Sequence, residues 1–243
     1  MNSLLLTAIE AAREAGRAIM EIYREQFEVY TKDDDSPVTQ ADLRASNIIK
    51  EMLRGTGLPF VSEEDLPPDR SKFGRYWLVD PLDGTVEFVK RNGEFTVNIA
   101  LIENKRPVLG VIYAPVFDQL WWNDEQQVRH CEARNDERPF TVLVSRSHRT
   151  PEVDEYINKV LLPQHPDLVI DSQGSSLKFV RLVECTADVY VCYSKTKEWD
   201  TAAADAILTA AGGRVLKISD GLPLEYDKKE YPNPPFVAWA PGR

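Results

Sequence analysis

Asp80 and Asp83 stand three residues apart around Pro81 and Leu82, and Gly84 and Thr85 follow at once. The proline stiffens the turn that carries the two carboxylates. Gly84 lets the backbone pass close to a ligand, and Thr85 can start a short helix through Phe88. Amides at a helix start attract anions, phosphate above all. Acids beside anion-seeking amides are compatible when a cation lies between protein and phosphate, which points to a metal-dependent phosphate site. The same residues have a plainer reading: Asp-Gly is a common turn, and Asp ahead of a helix is a common cap. The rest of the chain must decide.

Further acids fall at the ends of elements. A buried strand over residues 76–79 ends abruptly at Asp80-Pro81, and a short strand over 59–62 ends in Glu63-Glu64-Asp65. Two strands thus deliver carboxylates from their C-terminal ends, where ligands of sheet-based folds tend to bind. Asp42 lies in the first turn of a helix over 40–54 capped by Thr39, where the helix dipole favours a negative charge. It could also orient a hydroxyl or a water. Asp200 opens an alanine-rich helix over 202–211, and capping alone explains it. After a strand over 141–145, Arg146 and His148 could meet a second anionic group, or His148 is an exposed loop residue. Gly174-Ser175-Ser176-Leu177-Lys178 is a glycine-serine entry to a helix that could hold phosphate through amides and Lys178.

The elements around these residues alternate between helix and strand. An amphipathic helix covers 3–27, and 29–35 is a strand running into a charged, solvated loop. A polar, mobile loop covers 66–74. Strands over 96–103 and 107–113 are joined by a turn at Asn104-Lys105, and 119–122 continues the sheet with Trp121-Trp122 as packing. Residues 123–138 hold a hairpin and the link to a second half. That half has a helix over 152–161 and strands over 167–171, 189–193, 214–218 and 235–240. At 243 residues the chain suits one sizeable domain or two tightly packed subdomains, 1–138 and 139–243, in one compact unit. A net charge of −10 argues against a nucleic-acid-binding surface. Cys131, Cys185 and Cys192 lack metal-ligand spacing, which points to a reducing cytoplasm without disulfides. There is no signal-peptide pattern and no apolar run that would span a bilayer.

SPVTQAD (36–42), SEED (62–65), DPLDGTVEF (80–88) and WDTAAADAIL (199–208) occur in the order typical of the inositol monophosphatase superfamily, which the chain resembles over nearly its whole length. RNGEFTVNIALI, SRSH and GSSLKF are similar to its 3′(2′),5′-bisphosphate nucleotidase branch. The resemblance implies an α/β fold: a layered α-β-α-β-α sandwich with a largely antiparallel N-terminal sheet and a smaller second α/β half. It implies Mg²⁺ as cofactor, two or three ions, with oxygen ligands suited to a hard cation. Glu63, Asp80, Asp83, Asp200 and the Leu82 carbonyl would be the ligands, with Asp80 bridging and Glu63 also holding the water of a third ion. Two ions roughly 3.5–4 Å apart can stabilise both the entering and the leaving oxygen. Asp83, Gly84 and Thr85 would line the phosphate, and Asp42 with Thr85 would orient or deprotonate the attacking water. His148, Ser175, Lys178 and Asp200 would contact the substrate. An arginine found in many members is absent here, where Tyr190-Val191-Cys192 stands; Lys195 or Lys197 could compensate.

The expected partner is a small phosphate ester, adenosine 3′,5′-bisphosphate or its sulfated analogue, linked to sulfate assimilation. No nucleic-acid polymer and no integral membrane segment are expected. The expected assembly is a monomer or homodimer, in the cytoplasm or at the inner-membrane surface, and lithium-sensitive. The alternatives are an inositol or sugar monophosphatase, and a non-catalytic nucleotide- or metal-sensing protein.

Overall fold

The structure, a computed structural model, describes residues 2–31, 37–67, 69–70, 72–123 and 138–243. The acidic run at 33–35, Ser36, Cys131 and most of the expected 123–138 hairpin lie outside the described residues.

The first layer is a helix pair, α1 (Ser3–Arg24) and α2 (Gln40–Arg54). Between them runs an antiparallel ribbon, β1 (Val29–Thr31) and β2 (Pro37–Thr39). The sequence reading has no strand at β2, because a proline is a poor strand signal except at a strand's first residue, where it sits here. α2 has the expected bounds, since Thr39 and Asp42 form a reciprocal capping box at its start.

The second layer is a five-stranded sheet of β3 (Phe60–Ser62), β4 (Arg75–Asp83), β5 (Thr96–Glu103), β6 (Arg106–Ala114) and β7 (Gln119–Asn123), in that order. Only β3 and β4 are parallel. Asn104 and Lys105 both adopt positive φ, which suits the tight turn joining β5 to β6. β4 does not stop at Asp80 as expected from Asp80-Pro81. Its pairing with β5 shifts register after Asp80↔Asn98 and resumes at Asp83↔Thr96, so the irregularity lies inside the strand. Alternate residues serve opposite faces. Trp77, Val79, Ile99 and Leu101 pack on α1 and α2, while Tyr76, Leu78, Ala100 and Ile102 face the other way.

That other face meets the third layer. It contains α5 (Leu177–Val183) and α6 (Glu198–Ala210), whose buried Ala202, Ala203, Ala204 and Ala206 let two sheets approach closely. The second sheet has the order β11-β12-β10-β8-β9. Its strands are β8 (Thr141–Ser145), β9 (Val169–Gln173), β10 (Val189–Cys192), β11 (Arg214–Lys217) and β12 (Phe236–Trp239). Its outer face is covered by α4 (Pro151–Tyr156), which continues as a π-helical stretch over Ile157–Leu161. The remaining helix, α3 (Thr85–Val89), follows β4 directly. The layers are therefore α-β-α-β-α.

Candidate active site

A cavity of about 190 Å³ opens where the ends of β3 and β4, α3, the 174–176 loop and the start of α6 meet. It is lined by Glu63, Asp80, Leu82, Asp83, Gly84 and Thr85 from the first sheet's side. Ser175, Lys178, His148 and Asp200 line it from the other. Every expected site residue except Asp42 thus lines this one cavity, and Asp42 is hydrogen-bonded to Thr85.

The local chain explains each placement. β3 and β4 are parallel, and the Glu63 N–H continues their pairing by donating to the Val79 carbonyl at 3.1 Å, which sets Glu63 beside the next residue, Asp80. Asp80 is buried and accepts from the Leu82 N–H at 3.1 Å. Asp83 is fixed through one oxygen. That oxygen accepts from the Ser176 N–H and Oγ, both at 2.6 Å, from Asn98 Nδ2 at 3.0 Å and from Thr96 Oγ1 at 3.4 Å. Asp200 caps α6 by accepting from the Lys197 N–H at 2.8 Å. Capping and cavity placement coexist in this residue, so the two readings were never exclusive.

Two glycines let the walls close. Gly84 has φ +94°, and a Cβ there would lie 2.9 Å from the Glu94 carbonyl oxygen. A Cβ on Gly174 would meet Glu87 Cγ at 2.6 Å. Any larger residue would push the 174–176 loop away from α3.

The charge in this cavity is unbalanced. Burial pushes the Asp80 carboxyl well above the usual carboxylate range, and Glu63, Asp83, Asp200 and Asp42 push it further. Loss of water, then Asp83 and Glu63, does the same to Asp200. These acids remain ionised together only if positive charge is added. The donors are carboxylates and a carbonyl, a set that fits a hard divalent cation and suits zinc poorly. Among the described residues, no three His, Cys, Asp or Glu side chains yet close on a point that could hold a metal ion. The fit of a cation rests on the donor chemistry and on the shared repulsion that raises Asp80 and Asp200.

Thr85 Oγ1 lies 3.0 Å from Asp42 Oδ1 and 3.2 Å from the Leu82 carbonyl. Its single proton serves one acceptor at a time. Burial raises the Asp42 carboxyl to about 6, against the opposing hydrogen bonds from Thr39. Lys178 lines the cavity and also braces its own loop. It is buried, and its ammonium donates to the Ser175 carbonyl at 2.7 Å and the Gln173 carbonyl at 3.3 Å, tying the loop that carries Ser175 at φ +46°. His148 is exposed at the mouth.

Several residues here escaped the sequence reading. Ser176 and Asn98 hold Asp83, and Asn98 Nδ2 also donates to Ser176 Oγ at 2.8 Å. A lone amide inside the apolar run TVNIAL was a usable signal. Glu94 accepts from both Arg146 Nε and Nη2 at 2.6 and 2.7 Å, and from the Gly174 N–H at 2.7 Å, joining three loops. Arg70, within the loop expected to be mobile, is itself anchored: it is buried, donates to Glu198 at 2.7 Å and to the Lys228 carbonyl at 2.6 Å, and stacks 4.0 Å over Tyr231.

The chain belongs to the inositol monophosphatase family, whose model matches residues 1–238. Among named relatives it is 46% identical over 247 residues to the 3′(2′),5′-bisphosphate nucleotidase CysQ of Salmonella typhimurium, covering 96% of this chain and 98% of that protein. It is 45% identical over 242 residues to the nucleotidase of the same name from Escherichia coli, covering 93% and 96%. The crystal structure of CysQ from Bacteroides thetaiotaomicron, a bacterial member of the family, superposes with a TM-score of 0.87 at 37% identity, covering 98% of this chain and 97% of that one.

Proposed function

We propose that the protein is a 3′(2′),5′-bisphosphate nucleotidase, a phosphomonoester hydrolase that converts adenosine 3′,5′-bisphosphate to AMP and phosphate. The sulfated analogue is a further substrate in this reading. The observation that carries it is the convergence of Glu63, Asp80, Asp83 and Asp200 on one cavity beside Thr85 and Asp42. The nucleotidases that resemble the chain over almost its full length support the substrate class.

Glu63, Asp80, the Leu82 carbonyl, Asp83 and Asp200 would hold magnesium, two or three ions. When bound, magnesium would neutralise the ester's charge and supply a strong nucleophile near neutral pH. The chain's own work is positioning. The Gly84 and Thr85 amides would hold non-bridging phosphate oxygens, contributing preorganised dipoles. Thr85 Oγ1 would orient the attacking water and pass a proton towards Asp42 Oδ1, to which it is already hydrogen-bonded. Ser175 and His148 would contact the nucleotide, and Lys178 would act by fixing the turn that presents Ser175.

Among the described residues no helix is long and apolar enough to cross a membrane. Cys192 is a buried free thiol. A thiol left unoxidised fits the reducing, cytoplasmic location we propose. The inner-membrane surface expected as a second location has no support in the relatives and is not proposed.

The test is a substrate panel with excess magnesium, following phosphate release from adenosine 3′,5′-bisphosphate, its sulfated analogue and inositol 1-phosphate. A higher specificity constant for the bisphosphate is expected. Preference for inositol 1-phosphate would replace this reading with a monophosphatase, and no hydrolysis at all would leave a sensing protein.

A further inference from the structure

A bisphosphate carries a second phosphate that is not cleaved, and it must enter a cavity lined by Glu63, Asp80, Asp83, Glu87 and Asp200. The acids of the floor would be matched by the magnesium that Glu63, Asp80, Asp83 and Asp200 would hold beside the first phosphate. The second dianion needs a positive partner of its own. Among the described residues lining the cavity, the basic ones are His148, Lys178 and Lys195. Lys178 is buried and its ammonium is engaged by two loop carbonyls. Cys192 is buried, and burial raises its thiol above the ordinary range, so it carries no charge to the site.

Lys195 is different. It is exposed at the rim, and among the described residues no hydrogen bond or ion pair engages its ammonium. The chain on both sides of it is fixed. Ser194 Oγ lies 3.3 Å from Cys192 Sγ. The Asn233 N–H donates to the Thr196 carbonyl at 2.8 Å, and Asn233 Nδ2 donates to the Lys197 carbonyl at 2.7 Å. The Lys197 ammonium stands 5.6 Å from the centre of the Trp199 ring. A rigid loop therefore presents one unengaged cation at the cavity mouth. Such an arrangement costs little ordering entropy when an anion arrives, because only the lysine side chain must settle.

We propose that Lys195 binds the uncleaved phosphate of the substrate and sets the preference for a bisphosphate over a monophosphate. The inference rests on the nucleotidase reading above. It assigns selectivity to a residue that plays no part in breaking the ester bond.

The test compares specificity constants for adenosine 3′,5′-bisphosphate and adenosine 3′-monophosphate in the wild type, Lys195→Met and Lys195→Arg. In Lys195→Met the bisphosphate-to-monophosphate ratio falls about tenfold, the size expected for one charged hydrogen bond, and the change lies in KM for the bisphosphate. Lys195→Arg keeps most of the ratio. Added salt raises KM for the bisphosphate more steeply in the wild type than in Lys195→Met, since an exposed ion pair is screened. An unchanged ratio in Lys195→Met, or an equal fall in both variants, overturns the proposal while leaving the nucleotidase reading intact. If the wild type prefers inositol 1-phosphate, the nucleotidase reading falls and takes Lys195 with it.

Discussion

The cavity floor and the cluster around Glu198 both bury acids, yet they treat the charge in opposite ways. Glu198 is fully buried and is met by Arg70 at 2.7 Å, by Lys228 Nζ at 2.8 Å and by the N–H groups of Asp227 and Lys228. Two residues further along the same helix, Asp200 faces other carboxylates, which raise its proton affinity together with burial. Asp205, another turn on, is buried against the hydroxyls of Tyr226 and Thr209 at 2.9 Å each. One helix thus carries an acid neutralised by side chains, an acid crowded by other acids and an acid held by neutral donors. The first fastens the structure. The second is crowded by Asp83 and Glu63, against which Lys197 gives only partial relief. Burial of a carboxylate therefore says little about its purpose; the identity of its neighbours does.

The sharpest way to break this comparison is to remove charge from the floor. Asp83→Asn or Asp200→Asn is expected to lower turnover about a thousandfold, on the scale of losing a principal electrostatic group. Phosphate release measures the loss, and a melting curve close to the wild type's shows that the fold remains. A metal chelator should abolish wild-type activity to the same degree, and activity that survives chelation would refute the magnesium role.

Arg70→Ala acts on the other region. It leaves Glu198 buried with an incomplete set of partners, and denaturant titration should show a loss of about 3 kcal/mol, the lower range for breaking a buried pair.

Asp205 gives the pH-dependent case. Burial raises its carboxyl to about 6 from the ordinary 3.8. Between those values the folded chain holds a proton that the unfolded chain has released. Its contribution to stability is therefore greatest in acid and is lost as pH rises through about 6. Asp205→Asn should gain on the wild type by up to about 3 kcal/mol at pH 7 and lose that advantage near pH 4. Denaturation midpoints at the two pH values decide it.

The smallest expected effect is the most diagnostic for positioning. Ser176 Oγ lies 2.6 Å from Asp83 Oδ2 and 3.2 Å from the Asp200 carbonyl, so one hydroxyl touches both sides of the cavity. With a single proton it favours the charged, closer acceptor. Ser176→Ala should weaken Mg²⁺ binding about tenfold, as outer-shell changes do. Calorimetric titration with Mg²⁺ reads this directly, and an unchanged affinity would reduce Ser176 to packing.

Much of the fold was legible because its signals are local. The Thr39–Asp42 cap, the 104–105 turn and the alternation in β5 and β6 each sit within a few residues. The candidate acids were legible for the same reason, since each falls at a strand end or a helix start. The rest depended on distant pairing. β4 runs on to Asp83 because Thr96 pairs with it from another strand. Arg70 and Glu198 lie 128 positions apart, and Asn98 and Ser176 lie 78 apart, so no window on the sequence contains both members. Lys178 shows the converse. A basic residue in a glycine-serine motif resembles an anion binder, yet its ammonium is turned to its own loop's carbonyls, which became visible only once the loop's path was known.

The hydroxyl bridge at Ser176 bears on how the chain matures during synthesis. The first sheet can pair fully once residue 123 has emerged, yet Asp83 then still lacks Ser176, and Asp200 has not been made. The loop before α6 gains its last anchor only with Asn233. The partners that hold Asp83 and complete the cavity thus come from residues made after the first sheet's last strand. Onset of phosphate release would therefore time the docking of the later half rather than the first collapse.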